Sequence, residues 1–181
     1  MLVFGAVVPV SAWTIAVPAV GALVGLSAAR RLAKRTGWPA RGILVAVVLL
    51  SSVLALTLPP GSERHTNGLH ACLPEDFPDL VRTVLNSGGG VAGNVLNLLL
   101  FLPLTASAVL TIGRTAPAVV LALALPPAIE LAQSQIPGRW CSLADVLANV
   151  AGALAGALLG SVLLRRGTVR RETAGPRTRR R

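Results

Sequence analysis

Five long apolar runs restrict the fold of this chain more than any other feature of its sequence. They cover residues 2–29, 42–58, 94–112, 115–133 and 143–164. A helix crosses the hydrocarbon core of a bilayer with about 20 residues, and about 17 is the lower limit. Because a backbone in lipid must satisfy its own hydrogen bonds, each run is expected to form a helix. The sequence therefore predicts an all-α, polytopic integral membrane bundle with five transmembrane helices.

The composition supports this class of protein. Hydrophobic residues make up 53% of the chain and charged residues only 13%, whereas soluble domains average about 25% charged residues. A net charge of +10 would favour a nucleic-acid partner in a soluble protein. Here the basic residues flank the apolar runs, so membrane topology explains them better. We expect membrane lipids, and no nucleic acid, as partners.

The distribution of the basic residues predicts the orientation of the bundle. Five of the 17 lysines and arginines lie between the first two runs, Arg114 lies between the third and fourth, and eight lie in the tail. These three segments face the same side, which the positive-inside rule assigns to the cytoplasm. The N-terminus is therefore predicted outside and the C-terminus inside.

The remaining segments complete the predicted domain organisation. Residues 1–164 form one transmembrane bundle, with a short amphipathic helix predicted over residues 78–85 of the longest polar connection. The tail, residues 165–181, is rich in arginine and holds no apolar run. Such a segment cannot bury enough apolar surface to fold, so it is predicted to be disordered and cytoplasmic.

Polar side chains interrupt the last three apolar runs and the connection between two of them. They are Asn97, Glu130, Gln133, Arg139, Asp145 and Asn149. Removing an ionised carboxylate from water is costly, so each acid needs a partner or a wet site. In the five-span topology all six lie near the outer boundary, and we expect them to converge there. Two interpretations stay open: the residues join the helices to one another, or they bind a polar or amphiphilic ligand.

The fifth run carries a stripe of small residues on one face. Gly152, Gly156 and Gly160 continue the face that Asp145 and Asn149 begin, at steps of three or four residues. Small residues at this spacing let another helix backbone approach closely in lipid. The stripe is compatible with packing inside one chain and with packing between two, which would give a homo-oligomer.

Other chemistry is sparse in this sequence. Cys72 and Cys141 both fall on the outer side of the predicted topology, where they form either a disulfide or two unpaired thiols. His65 and His70 match no standard zinc spacing with Cys72. The sequence contains no phosphate-binding loop, nucleophile elbow or HExxH motif. We therefore assign no catalytic residue, metal or cofactor.

The order of four short motifs resembles the VanZ-like membrane protein family. They are N-x-x-L-F-x-P-L at 97–104, E-x-x-Q at 130–133, G-R at 138–139 and D-V-x-x-N-x-x-G at 145–152. The resemblance covers residues 94–160 and adds Phe101 and Pro103 to the motif positions. Thr105 departs from it, because many members have glycine there. The resemblance implies a multi-pass protein of the bacterial plasma membrane, in a family named after a member linked to teicoplanin resistance.

Three functions are compatible with these features. The preferred one is a non-enzymatic envelope protein that recognises an amphiphile, such as a glycopeptide or a lipid-linked precursor, and contributes to glycopeptide resistance. Arg139 would then bind an anionic group, while the carboxylates and asparagines would orient it. The second is a membrane enzyme with Glu130 and Asp145 as acid and base. The third is a small transporter, although the five runs show no inverted repeat.

Overall fold

The computed structural model describes residues 2–3, 6–7, 11–59, 77–86, 90–139 and 141–173. Strands β1 (Leu2–Val3) and β2 (Ala6–Val7) form a short antiparallel pair. Most of the rest of the described chain is helical, and five of its helices are long and apolar enough to cross a membrane. The predicted five-helix membrane bundle is confirmed. The helices are α1 (Ala12–Thr36), α2 (Ala40–Thr57), α3 (Phe77–Asn86), α4 (Gly90–Ile112), α5 (Thr115–Gln133) and α6 (Leu143–Thr173).

The first spanning helix begins later than its apolar run suggested. The run starts at Leu2, whereas α1 starts at Ala12. Ser11 has extended backbone angles, and its N–H donates to Oγ1 of Thr14, which satisfies a polar group at the helix start. At the other end Gly37 has a φ of +75° and its N–H donates to the carbonyl of Ala33. This left-handed glycine ends α1 and turns the chain into α2.

Helices α1 and α2 form a hairpin whose outer surface is apolar. Gly21 lies against Ser51, and Gly25 lies against Leu44 and Val47, so small residues of α1 bring the two helices close together. Many large apolar side chains of α1 are nevertheless exposed, and Ile15 keeps 68% of its surface accessible. An exposed apolar helix surface of this kind is stable when lipid rather than water surrounds it.

The glycine stripe of α6 packs against α4 of the same chain. A Cβ on Gly152 would overlap the carbonyl oxygen of Leu98, and one on Gly156 would overlap that of Leu102. At Gly160 the same atom would lie 2.8 Å from the carbonyl oxygen of Ala106. The backbones of α4 and α6 are therefore in direct contact along the whole stripe. The surface considered for a homo-oligomer is occupied by α4.

The apolar centre of the bundle lies between these two helices and their neighbours α2 and α5. Its buried members come from all four helices: Val53, Phe101, Leu104, Ala122, Ile129 and Ala153. Burial of such side chains contributes about 1.5–3 kcal/mol each in water. In lipid, tight van der Waals packing supplies the association instead. This centre fixes the positions of the helix ends that carry the polar residues.

The structure tests the predicted bounds of the short helix and of the tail. Helix α3 confirms the short helix predicted over residues 78–85. The predicted tail differs, because α6 continues to Thr173 rather than ending at Leu164. An established helix gains one hydrogen bond per added residue, and arginine is a good helix former. Disorder predicted from Arg165 is therefore wrong as far as Thr173, and residues 174–181 lie outside the described part of the chain. The orientation across the membrane stays a prediction.

Candidate functional site at one end of the bundle

The topology brings the six predicted polar residues to the same end of the bundle. Helices α4 and α6 begin at this end and α5 finishes there. Asn97 Nδ2 of α4 donates a hydrogen bond to Oδ1 of Asp145 in α6, with an N–O distance of 2.9 Å. This contact connects two residues 48 positions apart in the chain. We call the set Asn97, Glu130, Gln133, Arg139, Asp145 and Asn149 the polar cluster.

A tight turn after α5 places Arg139 in this cluster. The N–H of Ser134 donates to the carbonyl of Glu130 at 3.0 Å, and that of Ile136 donates to Gln133 at 2.9 Å. Gly138 then adopts a φ of +71°, which glycine reaches without strain. Arg139 donates its N–H to Ile136 at 3.1 Å, which closes the turn. The backbone thus fixes where the Arg139 side chain starts.

Arg139 and Gln133 together cap the C-terminus of α2. Arg139 Nη2 donates to the carbonyl oxygen of Thr57 at 2.7 Å and to that of Leu56 at 3.2 Å. Gln133 Nε2 donates to the same Thr57 oxygen at 2.6 Å. The last carbonyls of a helix have no N–H partner within the helix and carry its partial negative charge. A guanidinium and an amide from a distant turn satisfy them here.

Sequence reasoning missed this part of the site for a physical reason. The acceptors are the backbone carbonyls of Leu56 and Thr57. Every residue has a backbone carbonyl, so residue type does not show which one accepts a hydrogen bond. One signal was available, since Arg139 is among only three basic residues predicted on the outer side. A base placed against the positive-inside bias is expected to have a local partner. The end of α2 supplies that partner.

Ser142 connects the carboxylate of Glu130 to the start of α6. Its backbone N–H donates to Oε2 of Glu130 at 3.4 Å, and its Oγ accepts from the N–H of Asp145, also at 3.4 Å. Ser142 directly precedes α6, so this is the arrangement of a serine at a helix N-cap. Negative groups are favoured at this positive end of the helix dipole. Ser142 was not among the predicted site residues, although a serine three residues before an acid is a helix-start signal.

The charged groups of the cluster act on one another. Glu130 is only 4% exposed, and its charge interacts with those of Asp145 and Arg139. Burial lowers the pKa of the Arg139 guanidinium below its ordinary value, while the two carboxylates oppose that shift. Arginine titrates far above physiological pH and stays protonated. One cation therefore faces two carboxyl groups in a region of low polarity.

Asn149 has a buried side-chain oxygen that lacks a hydrogen-bond partner among the described residues, as does Asn94 near the start of α4. The side chain is 2% exposed, and its Oδ1 finds no hydrogen-bond partner among the described residues. A buried acceptor without a partner costs about 1–3 kcal/mol. Asn149 lies one helical turn from Asp145 on the same face of α6. The polar cluster therefore contains a buried acceptor that can still take a hydrogen bond.

The remaining candidates from the sequence have a mixed outcome. Cys141 is buried and disulfide-bonded, whereas Cys72 lies outside the described residues, so their pairing stays a prediction. His65 and His70 also lie outside them. In the ranges that the structure describes, no group of three or more His, Cys, Asp or Glu side chains could hold a metal ion.

Comparison with known proteins places this arrangement in a family. A family model described as VanZ/LLP1 matches residues 42–164, more than half of the chain. The match begins well before residue 94, where the motif region was predicted to begin. It includes α2 from its third residue onward, and Arg139 and Gln133 cap the end of this helix. No curated protein and no solved structure matches the chain. The chain therefore belongs to the VanZ/LLP1 family, as a member with five helices that are able to span a membrane.

Proposed function

We propose that the polar cluster binds the polar head of an amphiphile at the outer face of the bacterial plasma membrane. The ligand class is a glycopeptide such as teicoplanin or a lipid-linked envelope precursor, and binding contributes to glycopeptide resistance without chemical change of the ligand. The observation that carries this proposal is the buried Oδ1 of Asn149, which lies one helical turn after Asp145 and has no hydrogen-bond partner among the described residues.

If the polar cluster served only to hold the helices together, each of its buried polar atoms would be expected to have a hydrogen-bond partner. A buried polar atom without a partner lowers the stability of the fold. Asn97 and Gln133 fit that expectation, since each donates to a protein oxygen. Asn149 does not. An amide or hydroxyl group of a ligand would donate to its Oδ1 and remove the cost. Sugars, peptides and lipid-linked precursors all carry such donors.

The charges of the cluster favour a ligand head with both polar and charged groups. Arg139 provides a fixed positive charge, held in place by the carbonyls of α2. Asp145 is half-buried and provides a carboxyl group nearer the surface than Glu130. A zwitterionic or hydrogen-bonding head can therefore meet both signs of charge. The apolar helices beside the cluster leave the tail of the same molecule in lipid.

A membrane enzyme is the second candidate, and one observation favours it. Glu130 and Asp145 are two interacting carboxyl groups with different degrees of burial. Such a difference allows one group to act as an acid and the other as a base. Turnover of a labelled envelope lipid by the purified protein, lost in Glu130→Gln, would support this candidate over simple binding.

Susceptibility to teicoplanin tests the binding proposal in the source bacterium. Deletion of the gene is expected to sensitise cells several-fold, and the wild-type gene to restore resistance. Glu130→Gln and Asn149→Leu should fail to restore it, because the first removes a carboxyl group and the second removes an acceptor that has no partner among the described residues. Gln135→Ala is the matched control, since Gln135 is exposed at the same end and its side chain donates to Oγ of its neighbour Ser134.

Membrane levels of every variant are measured beside susceptibility, by immunoblot of the same cells. Equal restoration by all variants at equal membrane levels would contradict the proposal. The cluster would then serve to hold the helices together, which is its other interpretation.

A further inference from the structure

The opposite end of the bundle carries an apolar groove that the polar cluster does not use. Its volume is about 280 Å³ and its walls come from α1, α2, α4 and α5, a size near the lower end of the roughly 300–1,000 Å³ of ligand sites. We call it the apolar groove. Residues that line it include Leu32, Trp38, Ile43, Ala46, Ala108 and Leu121.

A basic recess joins the groove. It has a volume of about 420 Å³ and is lined by Ser27, Ala28, Arg31, Leu32 and Arg35 of α1. Leu32 lines both spaces, so the apolar groove and the recess meet at this side chain. Arg31 and Arg35 are one helical turn apart on the same face of α1. An apolar groove thus lies next to a recess that two arginines line.

We propose that the groove and the recess together bind one anionic phospholipid. An acyl chain lies in the apolar groove, and the phosphate lies against Arg31 and Arg35. Guanidinium groups bind phosphate oxygens through two parallel hydrogen bonds, so two of them suit a phosphodiester. The lining of the groove offers an acyl chain an apolar surface between helices, in place of the fluid bilayer.

Trp38 supports the placement of a lipid headgroup at the level of Arg31 and Arg35. It lies in the connection between α1 and α2, is half-buried, and lines the groove close to its basic end. Tryptophan concentrates at the level of lipid headgroups, where its ring is apolar and its N–H is polar. A headgroup beside Arg31 and Arg35 would therefore lie at the depth that Trp38 marks. Arg41 and Arg114 add exposed positive charge at the same end.

Charge complementarity separates a bound anionic lipid from the lipid that coats any membrane helix. A general basic surface would attract anionic lipid equally through every arginine at this end. A built site depends on Arg31 and Arg35, which line the recess, more than on Arg30, which does not line it. Arg30 is exposed on another face of the same helical turn. It therefore offers a matched control with the same change in charge.

Quenching of Trp38 by brominated lipids tests the site. The full chain with Trp13→Phe and Trp140→Phe, which keeps Trp38 as its one tryptophan, is reconstituted in phosphatidylcholine nanodiscs. Phosphatidylglycerol or phosphatidylcholine, each brominated in the acyl chain, is then titrated. We expect phosphatidylglycerol to quench at lower mole fraction. The combined Arg31→Gln and Arg35→Gln change should lower this preference by about fivefold per arginine.

Two further variants decide between a site and a charged surface. Arg30→Gln should change the preference less than twofold, and Ala46→Phe, which fills the groove, should weaken quenching by both lipids. If Ala46→Phe does not fold, as judged by circular dichroism, Ala46→Leu takes its place. An equal loss in Arg30→Gln, no effect of filling the groove, or no headgroup preference in the wild type would each overturn the proposal. Absence of quenching by either lipid would also overturn it and indicate that protein covers the groove.

Discussion

Replacing Gly156 with leucine is expected to abolish the native packing of α4 against α6. The first side-chain carbon would already overlap the carbonyl oxygen of Leu102, which belongs to a helix backbone and cannot turn away. Overpacking costs about 1–3 kcal/mol in ordinary cores, and occasionally more, where side chains can adjust. Here two helices must separate, so we expect the loss to exceed that range. Size-exclusion chromatography and thermal denaturation in detergent measure the folded fraction.

Gly167 provides the matched control on the same helix. No described atom outside its own helix lies within 4 Å of a Cβ built there. Leucine forms helices better than glycine by almost 1 kcal/mol, so Gly167→Leu should be neutral or slightly stabilising. Equal losses at Gly156 and Gly167 would show that the stripe is not packed against α4. Gly152→Leu should behave like Gly156→Leu, because its Cβ would overlap the carbonyl of Leu98.

The second large effect is expected from Arg139→Ala. The change removes the two hydrogen bonds to Leu56 and Thr57, and it leaves Glu130 and Asp145 without their cation. Hydrogen bonds to charged groups contribute about 1.5–3 kcal/mol each, so we expect a loss of about 3 kcal/mol or more. Hydrogen exchange at the last turn of α2 should also become faster. Thermal unfolding in detergent and exchange mass spectrometry measure both effects.

Arg114→Ala and Arg139→Lys serve as control variants for this prediction. Arg114 is an exposed arginine in another connection between spanning helices, and its removal should change stability by less than about 0.5 kcal/mol. Lysine keeps the charge at position 139 but lacks the planar group that reaches two carbonyls, so an intermediate loss is expected. If Arg139→Ala is as mild as Arg114→Ala, the capping of α2 by Arg139 contributes little to stability.

Much of the fold could be predicted because few backbone conformations are stable in a lipid bilayer. The bounds of α5 follow from its apolar run, which begins and ends at the residues that the structure shows. The contact between Asn97 and Asp145 follows from topology, since alternate helices begin at the same end. The glycine stripe could be found from its spacing. Its partner, α4, could not, because small residues permit close approach without selecting a neighbour.

The other differences arise where backbone groups decide the outcome. The start of α1 at Ala12 depends on Ser11 and its polar contact with Thr14, inside a run that hydropathy treats as uniform. The end of α6 at Thr173 depends on helix propagation, which cannot be predicted from the amino-acid composition of the tail. The capping of α2 depends on the carbonyl of Thr57. In each case a backbone hydrogen bond fixes a position that side-chain patterns leave open.

The most direct test of the proposed function is binding of fluorescent teicoplanin, and of a fluorescent lipid-linked cell-wall precursor, to the purified protein in nanodiscs. Wild type and Gln135→Ala should bind one of these probes saturably. Asn149→Leu should bind it about tenfold more weakly, since losing a hydrogen bond to a buried group costs about 1–3 kcal/mol and about 1.4 kcal/mol corresponds to tenfold. The unfolding temperature of Asn149→Leu should be unchanged or higher, because the buried unpaired acceptor is removed. Equal binding by all three proteins, or saturable binding of neither probe, would contradict the proposed ligand binding. The polar cluster would then serve only to hold the helices together.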